Sequence, residues 1–131
     1  MPFTRRHALS GLAIAAIAAS GPARAAERAA FSDAAFDAAQ AAGRPILIDV
    51  FAPWCPVCRA QKPHIDATLA DPALRGALFL TVDFDSQKDA LRRLNVQRQS
   101  TLIAFRGREE RGRATGITDG AEIRALLMRA L

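Results

Sequence analysis

The hydrophobic pattern of this 131-residue chain is dominated by two nearly continuous apolar runs. Residues 46–51 are Ile-Leu-Ile-Asp-Val-Phe, and residues 77–83 form a second run rich in Leu, Phe and Val. Short apolar runs of β-branched and aromatic residues are typical of strands that are buried on both faces of a sheet. We therefore predict two interior strands here, separated by a more polar segment with helical periodicity.

Helices are predicted between and after these strands. Ser32 is a favourable N-cap for the first of them, and Gly43 is a favourable terminator. Pro63 lies inside the second helix and should kink it, because proline removes a backbone donor. The predicted helices cover residues 32–42, 55–69 and 87–94, and a last helix starts near residue 118.

Three further segments complete the pattern. Residues 27–31 predict a first strand, residues 101–105 another apolar strand, and residues 110–115 a polar edge strand after a turn. Strands that alternate with helices, followed by a hairpin and a final helix, indicate an α/β sheet protein.

The first 25 residues have the composition of an export signal. Arg5 and Arg6 give a basic start, residues 9–19 are apolar, and Ala23-Arg24-Ala25 offers a cleavage site. The apolar run is shorter than the roughly 20 residues of a membrane-spanning helix. We therefore predict a cleaved signal peptide at residues 1–25 and one periplasmic domain at residues 26–131, with no membrane insertion after cleavage. The general secretory route and the twin-arginine route both stay open.

Removal of this segment changes the charge of the chain. The formal net charge falls from +5 to +2, because Arg5, Arg6 and Arg24 lie in the predicted leader and no acidic residue does. So small a charge, without a basic patch interleaved with aromatic residues, gives no support for nucleic-acid binding. The remaining length suits one small domain, and we expect a monomer.

The chain's two cysteines lie in Cys55-Pro56-Val57-Cys58, directly after the first interior strand. One helical turn holds such a pair of sulfurs within bonding reach, and the helix N-terminus favours a thiolate on Cys55. A bridge across so short a loop stabilises a fold little, which argues against a purely structural disulfide. Metal binding is a further alternative, although closed sites usually need four ligands. The spacing therefore favours thiol–disulfide exchange.

Further residues resemble the thioredoxin family at the expected spacing, over nearly the whole predicted mature domain. Asp49 stands in the strand before the cysteines, Trp54 directly precedes Cys55, Pro63 lies in the following helix, and Gly116 follows the last predicted strand. The resemblance implies a thioredoxin-like fold of the α/β class, with a mixed central sheet flanked by helices.

Cys55 is the candidate nucleophile and Cys58 the candidate resolving thiol. Asp49 is the candidate proton shuttle, because burial in a strand raises the pKa of a carboxyl group and fits it to accept the Cys58 proton. Asp49 satisfied by hydrogen bonds or by a nearby lysine is the structural alternative. No metal ligand and no cofactor is expected. The candidate substrate-binding residues are Trp54, Pro56, Gln99, Ser100 and Thr101, and further candidates for the rim are Arg44, Arg59 and Arg98.

Ser100 departs from the family's pattern. Most members carry a cis-proline immediately before the strand that we place at residues 101–105, and here the local sequence is Gln99-Ser100-Thr101. A cis peptide before a residue other than proline costs about 3 kcal/mol, so we expect a trans Gln99–Ser100 bond. The change alters the loop with which relatives pair a substrate backbone. It also supplies a hydroxyl and could open the sulfurs to a metal.

The sequence thus predicts an exported protein-disulfide oxidoreductase that exchanges a Cys55–Cys58 disulfide with the cysteines of other exported proteins. Val57 offers no polar group that would stabilise a thiolate, which favours a reductase, whereas Pro56 points mildly toward an oxidant. By resemblance, such a reductase needs a membrane electron donor of the thiol–disulfide type. Copper handling by the two thiolates is the alternative function, and a binding module with a closed disulfide is the third.

Overall fold

A computed structural model of the chain describes residues 25–131. The predicted leader, its cleavage and its export route lie outside these residues, apart from Ala25. The elements in chain order are β1 (Glu27–Ala30), α1 (Asp33–Ala41), β2 (Pro45–Phe51), α2 (Pro56–Leu69), a short 3-10 helix (Pro72–Leu74), β3 (Leu78–Asp83), α3 (Lys88–Leu94), β4 (Thr101–Arg106), β5 (Glu109–Thr115) and α4 (Gly120–Met128).

The five strands form one mixed sheet in the order β1-β3-β2-β4-β5. β1, β3 and β2 are mutually parallel, whereas β4 is antiparallel to β2 and β5 is antiparallel to β4. β2 is therefore the middle strand. This arrangement confirms the predicted fold class, the interior position of both apolar runs and the polar strand at the edge.

Alternation along β2 divides the core into two layers. Ile46, Ile48 and Val50 pack with α1 and α3 on one face, and Leu47 packs with α2 and α4 on the other. All four side chains are fully buried. Because successive strand residues point to opposite faces, Asp49 lies on the same face as Leu47, beneath α2. The sheet period thus directs this carboxyl group toward the helix that carries Cys58.

The helix ends follow the expected capping chemistry. The Ser32 hydroxyl accepts a hydrogen bond from the Ala35 amide at 3.1 Å, and Asp119 accepts one from the Glu122 amide at 2.9 Å. Gly43 follows α1 with φ +68°, a left-handed conformation that glycine adopts without steric cost. Pro63 lies inside α2 without ending it.

Two local features differ from the sequence prediction. The first strand ends at Ala30 rather than at residue 31, and Phe31 turns into the core beside α1. The short 3-10 helix after α2 was not predicted; the Asp71 side chain caps it through the Ala73 amide at 2.9 Å. Within residues 25–131, the helices are all too short or too polar to cross a membrane.

Ser32→Ala tests the contribution of the first helix cap. We expect the free energy of unfolding to fall by about 1 kcal/mol, because the Ala35 amide loses its side-chain acceptor. Urea denaturation followed by circular dichroism measures the change. Ser32→Asp is the matched control and should retain the stability, since aspartate also caps helices well. An equal loss in both variants would contradict this role of the hydroxyl.

Candidate active site

The two cysteines lie at the carboxyl end of β2, where the chain enters α2. β2 ends at Phe51, and Cys55 is the N-cap residue of α2 with extended dihedral angles of φ −85° and ψ 112°. Its sulfur takes the place of the usual capping oxygen and accepts a hydrogen bond from the Cys58 amide at 3.1 Å. The local structure therefore directs an amide N–H at the Cys55 sulfur, as the sequence suggested.

Both cysteines are free thiols, and both are buried. Cys55 is 1% exposed and Cys58 is 5% exposed, so the first cysteine is as enclosed as the second. They pack with Ala52 and with the half-buried side chains of Phe51, Val57 and Phe84. Any sulfur that reaches Cys55 must therefore displace some of these apolar side chains.

The surroundings of Cys58 disfavour its thiolate. Burial is the main cause that raises its pKa to about 11, followed by its hydrogen bond with the Cys55 side chain. The Ala52 backbone opposes this rise, whereas the charges of Cys55 and Asp49 add to it. At neutral pH the inner thiol is therefore protonated in the reduced protein.

Asp49 lies near Cys58, and its buried carboxyl group is poorly satisfied by hydrogen bonds. Its Oδ1 is buried and has no hydrogen-bond partner. Burial raises the pKa of Asp49 to about 6, and the positive charge of Lys62 limits the rise. Lys62 is thus the nearby lysine of the structural alternative, but it leaves Oδ1 without a hydrogen-bond donor.

A cavity of about 370 Å³ joins this carboxyl group to the inner cysteine. Asp49 and Cys58 both line it, and Arg28, Lys62 and Asp66 form part of its polar wall. Asp66 pairs with Arg28 at 2.9 Å and with Lys62 at 3.6 Å. The cavity therefore gives the buried acid and the buried thiol a common space behind α2.

Trp54 is the large apolar side chain presented beside the cysteines. It is 53% exposed. Its indole nitrogen donates to Asp85 Oδ2 at 2.9 Å, and its ring meets Phe84 edge-to-face with centroids 6.4 Å apart. These contacts hold an aromatic surface toward solvent next to Cys55. The sequence pointed to Trp54 but not to Asp85, which becomes its neighbour because β2 and β3 are parallel and end together.

The loop before β4 lies at the same edge of the sheet. Val50 pairs with Thr101, and the Ser100 amide donates to the Val50 carbonyl at 2.7 Å, which places Ser100 level with the end of β2. All peptide bonds between residues 25 and 131 are trans, so Gln99–Ser100 is trans as expected. Ser100 instead has φ +59°, which the sequence did not predict. Serine thus occupies a left-handed conformation that non-glycine residues adopt only at a cost.

The remaining candidates divide into accessible and inaccessible side chains. Pro56 is exposed and Gln99 half-buried, whereas Thr101 is 3% exposed and its hydroxyl is bonded to the Arg98 carbonyl and to Thr115, each at 2.8 Å. The Thr101 side chain is therefore engaged within the fold. Among the arginines, Arg59 donates to the Pro53 carbonyl at 3.3 Å and so belongs to the rim.

Arg44 corrects one sequence expectation. It directly precedes β2, at the opposite end of the strand from the cysteines, and pairs with Glu27 at 3.1 Å. Arg44 therefore does not lie at the rim of the dithiol site.

Sequence reasoning also missed Gln61. This side chain is fully buried on α2, and its amide nitrogen donates to the Ser100 carbonyl at 3.2 Å and to the Ile117 carbonyl at 2.8 Å. A polar residue on the face of α2 that also carries Cys58 and Ile65 was the only sequence signal for it.

Comparison with known proteins places this geometry in a family. The family model described as Thioredoxin matches residues 27–129. The chain belongs to the thioredoxin family. Its relatives in this family are thiol–disulfide oxidoreductases. The confirmed family agrees with the resemblance carried by Asp49, Trp54 and the two cysteines.

Individual relatives show how far the likeness extends. The crystal structure of Trxlp from Edwardsiella tarda superposes with a TM-score of 0.75 at 42% identity, over 77% of this chain and 98% of that one. The thiol:disulfide interchange protein DsbD of Cronobacter sakazakii is 38% identical over 89 residues, which are 62% of this chain but 16% of that protein. A thioredoxin of Chlamydia trachomatis is 35% identical over 74 residues, 56% of this chain and 71% of that protein. The chain thus spans about one sixth of the DsbD protein it resembles.

Asp49→Asn tests the protonation state of the buried acid. The raised pKa means that the folded protein retains a proton that the unfolded chain releases between pH 3.8 and about 6. Raising the pH through this window therefore destabilises the wild type, and the variant escapes this loss. We expect the variant to be more stable by up to about 3 kcal/mol at pH 7. The difference should vanish near pH 4.

Urea denaturation of both proteins across this pH range measures the difference. Asp89→Asn is the matched control, because the Asp89 side chain is 92% exposed and its removal should give no such pH-dependent gain. A gain that is constant with pH would contradict the assigned protonation of Asp49.

Proposed function

We propose that this protein is an exported protein-disulfide reductase that uses Cys55 as nucleophile and Cys58 as resolving thiol. The observation that carries the proposal is the arrangement of the dithiol on α2. Cys55 caps the helix through its sulfur, and the neighbouring Cys58 thiol is kept protonated. Such an arrangement favours Cys55 as the nucleophile and leaves Cys58 as the resolving thiol.

The first step is attack by the Cys55 thiolate on one sulfur of a substrate disulfide. The Cys55–substrate bond forms, the substrate disulfide breaks, and the first substrate sulfur leaves as a thiolate that takes up a proton. The Cys58 amide, which donates to the Cys55 sulfur at 3.1 Å, stabilises the attacking thiolate.

The second step needs a thiolate on Cys58. Two causes of its raised pKa are the hydrogen bond with Cys55 and the charge of Cys55, and both disappear once Cys55 is bonded to the substrate. Asp49, whose pKa of about 6 leaves it largely ionised at neutral pH, lines the same cavity and accepts the Cys58 proton. The Cys58 thiolate then attacks the Cys55 sulfur and releases the second substrate thiolate.

The sum of these steps moves two electrons from the protein dithiol to the substrate disulfide. The protein is left with a Cys55–Cys58 disulfide, and the substrate gains two thiols. A dithiol donor must then reduce the protein, and we propose a membrane-bound donor that serves the exported compartment. The likeness to part of the DsbD protein of Cronobacter sakazakii supports a place in such a thiol–disulfide chain.

The exposed surface beside the dithiol supports a protein substrate. Trp54 presents an aromatic face, and exposed Pro56 and half-buried Gln99 lie at the same edge of the sheet. Neither Pro56 nor Val57 can donate a side-chain hydrogen bond to the Cys55 sulfur, which supports the reducing direction.

Copper handling is the alternative function that the sequence left open. In residues 25–131 no group of three or more His, Cys, Asp or Glu side chains could hold a metal, so copper binding would depend on the two thiolates alone.

Cysteine variants test the assigned roles. We expect Cys55→Ser to abolish reduction of insulin disulfides, because no attacking sulfur remains. Cys58→Ser should also block turnover, but it should accumulate a covalent adduct with the substrate that a reductant dissolves. Non-reducing electrophoresis and mass spectrometry detect the adduct. Adduct formation through Cys58 in the Cys55→Ser variant, and not through Cys55, would reverse the assignment.

Expression of the full-length chain in a Gram-negative bacterium tests export. We expect the protein in the periplasmic fraction, with an N-terminus at Ala26 by mass spectrometry, because residues 1–25 have the composition of a cleaved signal. Arg5→Lys combined with Arg6→Lys retains the charge and separates the two routes, since only the twin-arginine route requires the arginine pair. Retention in the cytosol at full length would contradict export.

A further inference from the structure

A buried glutamine connects the active-site helix to the loop opposite it. Gln61 follows Cys58 by one helical turn and is fully buried. Its amide group donates one hydrogen bond to the Ser100 carbonyl at 3.2 Å and another to the Ile117 carbonyl at 2.8 Å. Both hydrogens of the side-chain amide are thus directed at loop carbonyls, one before β4 and one after β5.

The loop position that Gln61 contacts is conformationally costly. Ser100 has φ +59°, which is unfavourable for a residue with a side chain. Its amide donates to the Val50 carbonyl at 2.7 Å, and its carbonyl accepts from the Gly116 amide at 3.0 Å as well as from Gln61. Hydrogen bonds from β2, from the end of β5 and from α2 therefore hold Ser100 in place.

Among these partners, Gln61 alone contributes a side chain. The side-chain amide of Gln61 is only partly satisfied, because its Oε1 is buried without a hydrogen-bond partner. A buried acceptor without a donor destabilises a fold, and an apolar side chain of similar size would avoid that cost. This cost, together with the two directed hydrogen bonds, points to a role for Gln61 other than filling the core.

We propose that Gln61 is a positioning residue that fixes the backbone of the Gln99–Ser100 loop relative to the dithiol, so that the loop can pair with a protein substrate. The inference rests on the proposed function and deepens it. Ser100 lies level with the end of β2, at the edge of the sheet where Cys55 begins α2. Gln61 and Cys58 share one face of this helix, so the loop and the reacting sulfurs are held by the same element.

The proposal predicts different effects on large and small substrates. A protein disulfide must dock its backbone near Cys55, whereas a small disulfide needs only a path to the sulfur. Gln61→Met retains the volume and removes both hydrogen bonds. We expect kcat/KM for insulin reduction to fall about tenfold, mainly through KM, because docking rather than chemistry is weakened. The rate with glutathione disulfide should change by less than about twofold. The reduction potential of the dithiol should stay the same within experimental error.

Thr68→Val is the matched control. Thr68 is a second buried polar residue of α2, 3% exposed, and its hydroxyl donates within the helix to the His64 carbonyl at 2.9 Å. This variant also loses a buried hydrogen bond but leaves the loops untouched. We expect Thr68→Val to change kcat/KM for insulin and the rate with glutathione disulfide by the same factor, whatever its effect on the free energy of unfolding.

Gln61→Glu provides a second variant with a pH readout. A protonated glutamic acid can still donate one hydrogen bond to a loop carbonyl, whereas the ionised form donates none and repels both carbonyls. Its insulin activity relative to wild type should therefore rise as the pH falls. Hydrogen exchange supplies an independent measure, since the amides of residues 97–102 should exchange faster in Gln61→Met while those of α2 do not.

The outcomes separate this inference from the proposed function. Wild-type protein that reduces neither insulin nor glutathione disulfide would overturn both. An active wild type, with Gln61→Met equally impaired on both substrates or on neither, would overturn only the positioning role. Unchanged exchange at residues 97–102 in that variant would overturn it as well. Selective loss on insulin, with faster exchange in the loop, is the expected result.

Discussion

Burial of β2 between two apolar layers is the constraint on which the rest of this protein depends. The strand lies in the middle of the sheet, with β3 on one side and β4 on the other. Its even-numbered residues contact α1 and α3, and its odd-numbered residues face α2 and α4. The same alternation that builds the core directs Asp49 beneath α2, and the end of the strand delivers Cys55 to the start of that helix. Fold and site are therefore set by one element.

The site depends on keeping its ionisable groups in unlike states. Burial raises the pKa of Asp49 to about 6, which still leaves this acid largely ionised at neutral pH. Burial also raises the pKa of Cys58 to about 11, which keeps the inner thiol protonated. Lys62 moderates the effect on Asp49 while it also pairs with Asp66 at the cavity wall. Because the two buried groups share one cavity, the charge of Asp49 contributes to the raised pKa of Cys58. The low-dielectric environment thus couples the protonation of Asp49 to that of Cys58.

The loop before β4 shows how a family framework accommodates a departure. Ser100 stands where the family resemblance implies a cis-proline, and this chain instead has a trans Gln99–Ser100 bond and a serine in the left-handed conformation. Its backbone is held by hydrogen bonds to Val50 in β2, to Gly116 just after β5 and to the Gln61 side chain in α2. None of these partners is a neighbour of Ser100 in the sequence. The conformation is therefore a property of the assembled fold.

The sequence by itself determined most of the fold and part of the site. The apolar runs predicted β2 and β3, Ser32 and Asp119 marked helix starts, and the spacing of Cys55 and Cys58 indicated the chemistry that we propose. These signals are readable because strand periodicity, capping and helical spacing are local. Family membership also followed from residues in the sequence. Only the tertiary structure decided that Cys55 is enclosed, that Arg44 lies at the far end of β2, and that Gln61 reaches Ser100 across 39 positions. These depend on which surfaces meet after folding, and no local pattern encodes a contact between distant segments.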